Sequence, residues 1–300
     1  MKIKLRKLQN RPSPFSIMRG GRLQPVDLRG LYGGAACFFC SNGPSFADVD
    51  FNLITQPGII RFGVNNGPKV LRPHLWASVD TPAKFLESVW RDPTILKFVG
   101  TGKGGQYICR ELAENAWRYY GPKVSGCPGV VYMKLQGTER FDAGTFFDDA
   151  EIPWGNNKHA GGGRSVFVAA IKLMYELGFR RIYLLGVDFR MTAEFTYAFD
   201  EQRDVGAIQG NNTSYMRMLS FFSELSFQLQ GRGLEIINCT PGSGLTIIPY
   251  MSVEEAVKRE LRDFPDVRDE QTWGRYVNNE ANKIKPWQKE GIEKRKRGQK

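Results

Sequence analysis

The run Arg164–Phe189, RSVFVAAIKLMYELGFRRIYLLGVDF, decides how the chain folds. Arg164–Leu177 is apolar over much of its surface (Val166, Phe167, Ala169, Ala170, Ile171, Leu173), which is the composition of a helix packed centrally. Gly178 then offers a stop. Arg181–Val187 follows as a strand-length apolar run and ends in Gly186-Val187-Asp188. A buried helix feeding a strand that is apolar on both faces belongs to a sheet covered by helices on each side. The pattern repeats outward from this run. Further strand-length runs lie at Ala35–Cys40, Ile59–Val64, Leu75–Val79, Ile95–Val99, Val130–Met133 and Leu234–Asn238. Helical patterns separate them at Phe46–Ile54, Pro82–Trp90, Ile108–Tyr119, Ser214–Gln230 and Val253–Leu261. This alternation predicts an α/β fold with a doubly wound, mainly parallel sheet.

The 300 residues suffice for one large domain, and 41% hydrophobic content excludes disorder across the whole chain. No apolar run has the length of a membrane span, and the basic start MKIKLRKLQN has no apolar block behind it. The chain therefore reads as soluble and cytoplasmic. Five scattered cysteines include one CxxC pair, Cys37 and Cys40, inside an apolar strand, so buried thiols are expected there and no metal site is predicted. The net charge of +11 is concentrated at the ends. Residues 1–23 hold seven Lys/Arg and no acid, and residues 283–300 hold eight against Glu290 and Glu293. The expected organisation is a basic N-terminal arm at 1–34, a nucleotide-binding body at 35–261 and a basic C-terminal tail at 262–300. Like charges at both ends suit a polyanion, because each neutralised phosphate releases counterions. Lys294, Arg295, Lys296 and Arg297 are the candidate nucleic-acid contacts, with DNA as the candidate partner.

In a doubly wound sheet, ligands bind beyond the carboxyl ends of the strands, and three such ends are unusual here. Ser41-Asn42-Gly43-Pro44-Ser45 follows the first apolar strand: Gly43 permits a tight turn, and Ser45 is a natural helix cap. Gly63-Val64-Asn65-Asn66-Gly67 follows the second, and asparagine both donates and accepts, which suits a base edge or a ribose. Gly186-Val187-Asp188-Phe189 supplies an acidic residue at the third. Upstream, His159-Ala160-Gly161-Gly162-Gly163-Arg164-Ser165 leads into the apolar helix. Gly162 and Gly163 let the backbone approach a phosphate, and Arg164 and Ser165 stand at the helix start. The usual dinucleotide fingerprint and the Walker loop are both absent.

Taken in order, the Ser41–Ser45 turn, Val64-Asn65-Asn66, the Gly-rich loop with Leu177–Phe189, Tyr197-Ala198-Phe199-Asp200 and Ile237–Leu245 resemble one Rossmann-like superfamily. It contains the bacterial lipooligosaccharide sialyltransferases and the MptE-like archaeal hydroxymethylpterin diphosphokinases, and the resemblance covers roughly Ala35 to Val257. It implies that residues matching Asn42 and Asn65 or Asn66 hold the nucleotide of a donor, and that Tyr197 lies near the departing phosphate. In the sialyltransferases a histidine is the base, and no bound metal is needed. Here Asn211–Met218 has no histidine where that base would fall, so Asp188, Asp200, His159 or Glu194 must substitute.

These readings predict a glycosyltransferase moving a sugar from a nucleotide-sugar donor to a hydroxyl acceptor. The charge at the ends suggests a hydroxymethylated pyrimidine in DNA as acceptor, of the kind met in phage DNA hypermodification, with a saccharide or lipid-linked acceptor also open. Two alternatives stay open. One is a pterin-type diphosphokinase using ATP and magnesium; the other is a non-catalytic nucleic-acid-binding module on the same fold.

Overall fold

A computed structural model describes residues 11–136, 143–154, 165–194, 196–201, 203–272, 275 and 286–297. The chain divides into two units, Met1–Leu261 and Arg262–Lys300. In the first, the described residues form eleven strands: β1 Phe15–Arg19, β2 Arg22–Pro25, β3 Ala36–Cys40, β4 Arg61–Val64, β5 Leu75–Ser78, β6 Leu96–Gly100, β7 Tyr107–Ala113, β8 Ala116–Lys123, β9 Val130–Met133, β10 Arg181–Leu185 and β11 Glu235–Asn238. The helices are α1 Phe51–Ile54, α2 Glu87–Arg91, α3 Val166–Glu176, α4 Val205–Leu229 and α5 Val253–Leu261, with α6 Pro286–Arg297 in the second unit.

Nine strands make one sheet in the order β11-β10-β3-β4-β5-β6-β9-β1-β2. The seven from β11 to β9 are parallel, and β1 and β2 extend the edge antiparallel. The chain runs outward from β3 through β4, β5 and β6 to β9. It then returns to lay β10 against the other side of β3 and continues to β11. Strand order therefore reverses between β3 and β10, the place where an open sheet of this kind leaves a crevice beyond its carboxyl ends.

Period-two alternation distributes the strand side chains between two layers. On β3, Cys37 and Phe39 pack with Phe167 of α3 and with Met218 and Phe222 of α4. Phe38 and Cys40 face the opposite layer, with Ile54 of α1 and Ala256 and Val257 of α5. Each fully buried phenylalanine contributes on the order of 2–3 kcal/mol. The CxxC cysteines thus lie on opposite faces of one strand, and burial pushes the Cys40 thiol up to about 12. Ser165 caps α3 by accepting from the Phe167 amide at 3.1 Å. The helix ends at Gly178, which has φ of +101° while the Phe179 amide reaches back to Met174 O.

Three sequence expectations need correction. Residues 1–34 were expected as an arm, yet 15–25 form β1 and β2 of the main sheet. Their anchor is ionic as well as backbone: Arg11 donates to Glu176 at 2.6 Å, and Glu176 also pairs with buried Lys172 at 2.8 Å. A charge pattern alone cannot reveal that a basic residue has a buried acid waiting 165 positions on. Ile108–Tyr119 was expected as a helix, but β7 and β8 form a separate antiparallel hairpin there. Tyr107, Ile108, Trp117, Tyr119 and Tyr120 favour the extended chain, and Glu114 adopts φ of +55° in the two-residue turn. The helix expected from Ser214 begins instead at Val205, where Asp204 caps it by accepting from the Ala207 amide at 2.8 Å. Its first turns are polar because they border a cleft, so no apolar stripe announces them. Among the described residues no helix is long and apolar enough to cross a membrane.

Candidate active site

The crevice at the β3–β10 reversal is a cleft of about 780 Å³ lined by all three strand-end turns read from the sequence. Asn42 leaves β3, Asn65 leaves β4 and Asp188 leaves β10, and all three border the same space. Asn65 takes a left-handed backbone, φ +49°, a conformation asparagine tolerates better than most residues. Asn42 Oδ1 and Asn65 Oδ1 are buried and have no hydrogen-bond partner among the described residues. Leaving such an acceptor unsatisfied costs roughly 1–3 kcal/mol, and both lie beneath the cleft surface, the Asn42 oxygen against Gly67, where a Cβ would come within 2.6 Å of it.

Asp188 is only 7% exposed. Burial raises its pKa above the ordinary carboxylate value, opposed by the Ser45 hydrogen bond and by Arg190. Ser45 Oγ donates to Asp188 Oδ2 at 2.9 Å. The turn is closed tightly, for a Cβ on Gly43 would overlap both Asp188 Oδ2 and the Gly186 carbonyl oxygen. Ser45 therefore does not cap a helix as expected. The turn begins at Gly43 and coils as a short 3-10 segment, Pro44–Asp48, and the Ser45 hydroxyl reaches across to the neighbouring strand end. A second loop braces the same aspartate. The Gly244 amide donates to Asp188 O at 2.8 Å, and Thr240 Oγ1 accepts from the Val187 amide at 2.9 Å. The Ile237–Leu245 segment thus supports the site from behind.

The segment after β10 folds over the cleft. The Ala198 amide donates to Asn42 O at 2.9 Å, which brings Tyr197 into the lining. The Arg203 guanidinium lies 5.2 Å from the Tyr197 ring centre, and Tyr197 stacks on Phe199 at 5.3 Å. Asn212 holds the neighbouring strand of the loop from α4, accepting from the Met191 amide at 2.9 Å and donating to Met191 O at 2.8 Å. Tyr215 of α4 stacks on Phe189 at 5.3 Å, and burial pushes its hydroxyl up to about 12. Tyr197 is likewise raised by burial, with Arg203 opposing. Both phenols are therefore protonated donors at neutral pH. With Arg190 at the rim and Arg203 beside it in an ion pair with Glu201, the cleft offers cations and O–H donors suited to a phosphate.

Not every candidate gathers here. Asn66 turns away from the main cleft and ties its turn to the 84–86 segment, donating to Lys84 O and accepting from the Leu86 amide, both at 3.2 Å. Asp200 is exposed and does not line the cleft. Glu194 is also exposed. Ser165 borders the cleft at the start of α3, whereas His159, Gly162, Gly163 and Arg164 lie outside the described residues. Lys294, Arg295, Lys296 and Arg297 form the exposed last turn of α6, and Lys294 pairs with Glu290 at 2.9 Å. The sequence reading missed Arg190, Arg203, Asn211 and Tyr215. Asn211 and Tyr215 had a signal in Asn211-Asn212-Thr213-Ser214-Tyr215, where residues 211, 214 and 215 share one helix face, polar where a core-facing stripe would be apolar, whereas Arg190 and Arg203 had none.

No protein family and no curated protein matches the chain. Among solved structures, the chain is similar to the sialyltransferase CstII from Campylobacter jejuni in complex with the substrate analogue CMP-3FNeuAc. That match has 14% identity over 73% of this chain and 86% of that one, with a TM-score of 0.40. It is also similar to the sialyltransferase CST-II in complex with a trisaccharide acceptor and CMP, with 17% identity over 72% of this chain and 86% of that one and a TM-score of 0.40.

Proposed function

We propose that this protein is a glycosyltransferase that moves a sugar from a nucleotide-activated donor to an acceptor hydroxyl. One observation carries the reading. A largely buried carboxylate, Asp188, borders the same switch-point cleft as Asn42 and Asn65. Asparagine side chains at that border suit the polar edge of a base or ribose. Arg190, Arg203 and the Tyr197 hydroxyl suit the phosphate that leaves. Of the candidate bases read from the sequence, Asp188 lines the described cleft and Asp200 and Glu194 do not.

The chemistry asks little more. As the acceptor oxygen bonds to the anomeric carbon, its proton passes to the Asp188 carboxylate. The bond from that carbon to the phosphate oxygen breaks, and the nucleotide leaves with the electron pair. A carboxylate base is adequate because the transition state is strongly oxocarbenium-like and needs proton removal only as the new bond forms. Cationic and O–H donors aimed at the leaving oxygens stabilise the developing charge. The acceptor proposed is a hydroxymethylated pyrimidine of a nucleic acid, whose primary hydroxyl is unhindered and whose backbone suits the basic chain ends.

The test is a thermal-shift screen against nucleotides and nucleotide sugars, followed by donor hydrolysis and transfer assays. A ligand that binds only the folded state raises its melting temperature. A panel in which no nucleotide sugar shifts melting or turns over would sink the reading. Magnesium-dependent AMP release from ATP with a small hydroxymethyl substrate would replace it with diphosphoryl transfer.

A further inference from the structure

The β7–β8 hairpin contributes little to the core. Its root packs through Ile108 and Cys109 onto Trp76 and Trp90, while Leu112, Trp117 and Tyr119 are 64%, 49% and 44% exposed. Register sets Leu112 opposite Trp117 and Arg110 opposite Tyr119, so these four side chains share one face of the ribbon. The opposite face carries the Glu111–Arg118 ion pair. On the aromatic face, the Arg110 guanidinium lies 4.0 Å from the Trp117 ring centre, and among the described residues it has no carboxylate partner. Lys123 sits over Tyr107 at 5.5 Å near the root. Cations placed on open rings, without neutralising acids, complement an anion that carries flat groups.

The ribbon is also joined to the cleft. Arg110 borders a recess of about 360 Å³ together with Asn66, Phe199 and Arg203. Asn42, Asn65, Asp80, Tyr197 and Arg203 line both this recess and the main cleft, so the two spaces are contiguous.

We propose that the Arg110–Leu112–Trp117–Tyr119 face docks a single-stranded nucleic acid beside the catalytic cleft. Bases stack on Trp117 and Tyr119, and backbone phosphates meet Arg110 at the cleft edge. Exposed rings favour unpaired bases, because in a duplex the base faces are already stacked on one another. A base must in any case leave the duplex to reach an enclosed site. The proposal names the surface that would present the acceptor, and to that extent it rests on the transferase reading.

The experiment measures fluorescence anisotropy of labelled oligothymidylate and oligouridylate with the full-length chain, at low and high salt. W117A and Y119A are each expected to weaken binding roughly tenfold at both salt concentrations, because stacking is not screened by ions. R110Q and a variant with Lys294, Arg295, Lys296 and Arg297 all changed to Gln are expected to flatten the salt dependence instead. All are surface changes, so unchanged melting temperatures verify the fold. Unaltered oligonucleotide binding by the W117A/Y119A double variant overturns the proposal. So does a wild-type chain that ignores both oligonucleotides but binds an oligosaccharide through Trp117. If oligonucleotides bind through Trp117 while no nucleotide sugar binds the cleft, the docking surface stands and the transferase reading falls. If nucleotide sugars bind and oligonucleotides do not, the opposite holds.

Discussion

The switch-point turns and the β7–β8 hairpin treat polar and apolar groups in opposite ways. At the reversal between β3 and β10, a carboxylate and two asparagine oxygens are buried, and the backbone is packed so closely that Gly43 has no space for a side chain. On the hairpin, large rings stand in solvent and a guanidinium rests on one of them. Burial of unsatisfied polar atoms costs folding free energy, and exposure of rings forgoes hydrophobic stabilisation, so neither arrangement is explained by stability. The two regions differ in what a substitution should reveal. Changes at the switch point should alter chemistry or folding, whereas changes on the hairpin should alter only what binds.

Asp188→Asn should have the largest effect. Asparagine still accepts from Ser45, so the turn is kept while the base is lost, and kcat should fall by about 10²–10⁴. Melting should be unchanged or higher, because the burial that raises the Asp188 pKa disfavours its charged form. The sign with pH follows. The base works ionised, so activity is lost as pH falls through a value above the ordinary carboxylate pKa, and this acid limb should vanish in the variant. An intact limb in Asp188→Asn would assign the base to another residue.

Gly43→Ala comes next. Its methyl group must displace either the Asp188 carboxylate or the Gly186 backbone, which should cost about 1–3 kcal/mol in chemical denaturation. Retention of wild-type stability would mean that the two strand ends are less tightly joined than described. Asn65→Gly should be milder. Glycine keeps the left-handed backbone and removes only the side chain, so donor KM should rise roughly tenfold, in line with one lost hydrogen bond of about 1 kcal/mol or slightly more. Asn65→Ala should add a folding cost of about 1–2 kcal/mol from the strained φ, and equal melting of the two variants would remove strain as an explanation. Leu112→Ser should be smallest, within about 0.5 kcal/mol of wild type, since the side chain is mostly in solvent. A larger loss would show that the hairpin is part of the core and would erase the contrast.

Legibility followed the range of the interactions. Runs apolar on both faces, such as Phe38-Phe39-Cys40 and Ile182-Tyr183-Leu184-Leu185, can only be central strands, and they are. Asn42, Asn65 and Asp188 were legible because a parallel sheet sends every strand end to one edge. Arg190 and Arg203 were not, because only the path of the loop between β10 and α4 brings them to the cleft. The hairpin was misread for a related reason. Apolar residues of Ile108–Tyr119 fit a helical stripe and a strand alternation alike, and packing of Ile108 and Cys109 with Trp76 and Trp90 adds to the β propensity of its aromatic residues in favour of the ribbon. Asp200 shows the converse, an acid in a promising segment that the loop leaves in solvent.

Local pattern thus determined the strands, the buried helix with its Ser165 cap and Gly178 stop, and the three polar turns, because propensity, periodicity and capping act within a few residues. The tertiary structure alone decided that β10 returns beside β3, that Arg11 finds Glu176, and that Ser45 binds Asp188 instead of capping a helix. Those contacts join residues more than 140 positions apart, where pairing depends on which surfaces the folded sheet brings together and leaves no periodic trace in the chain.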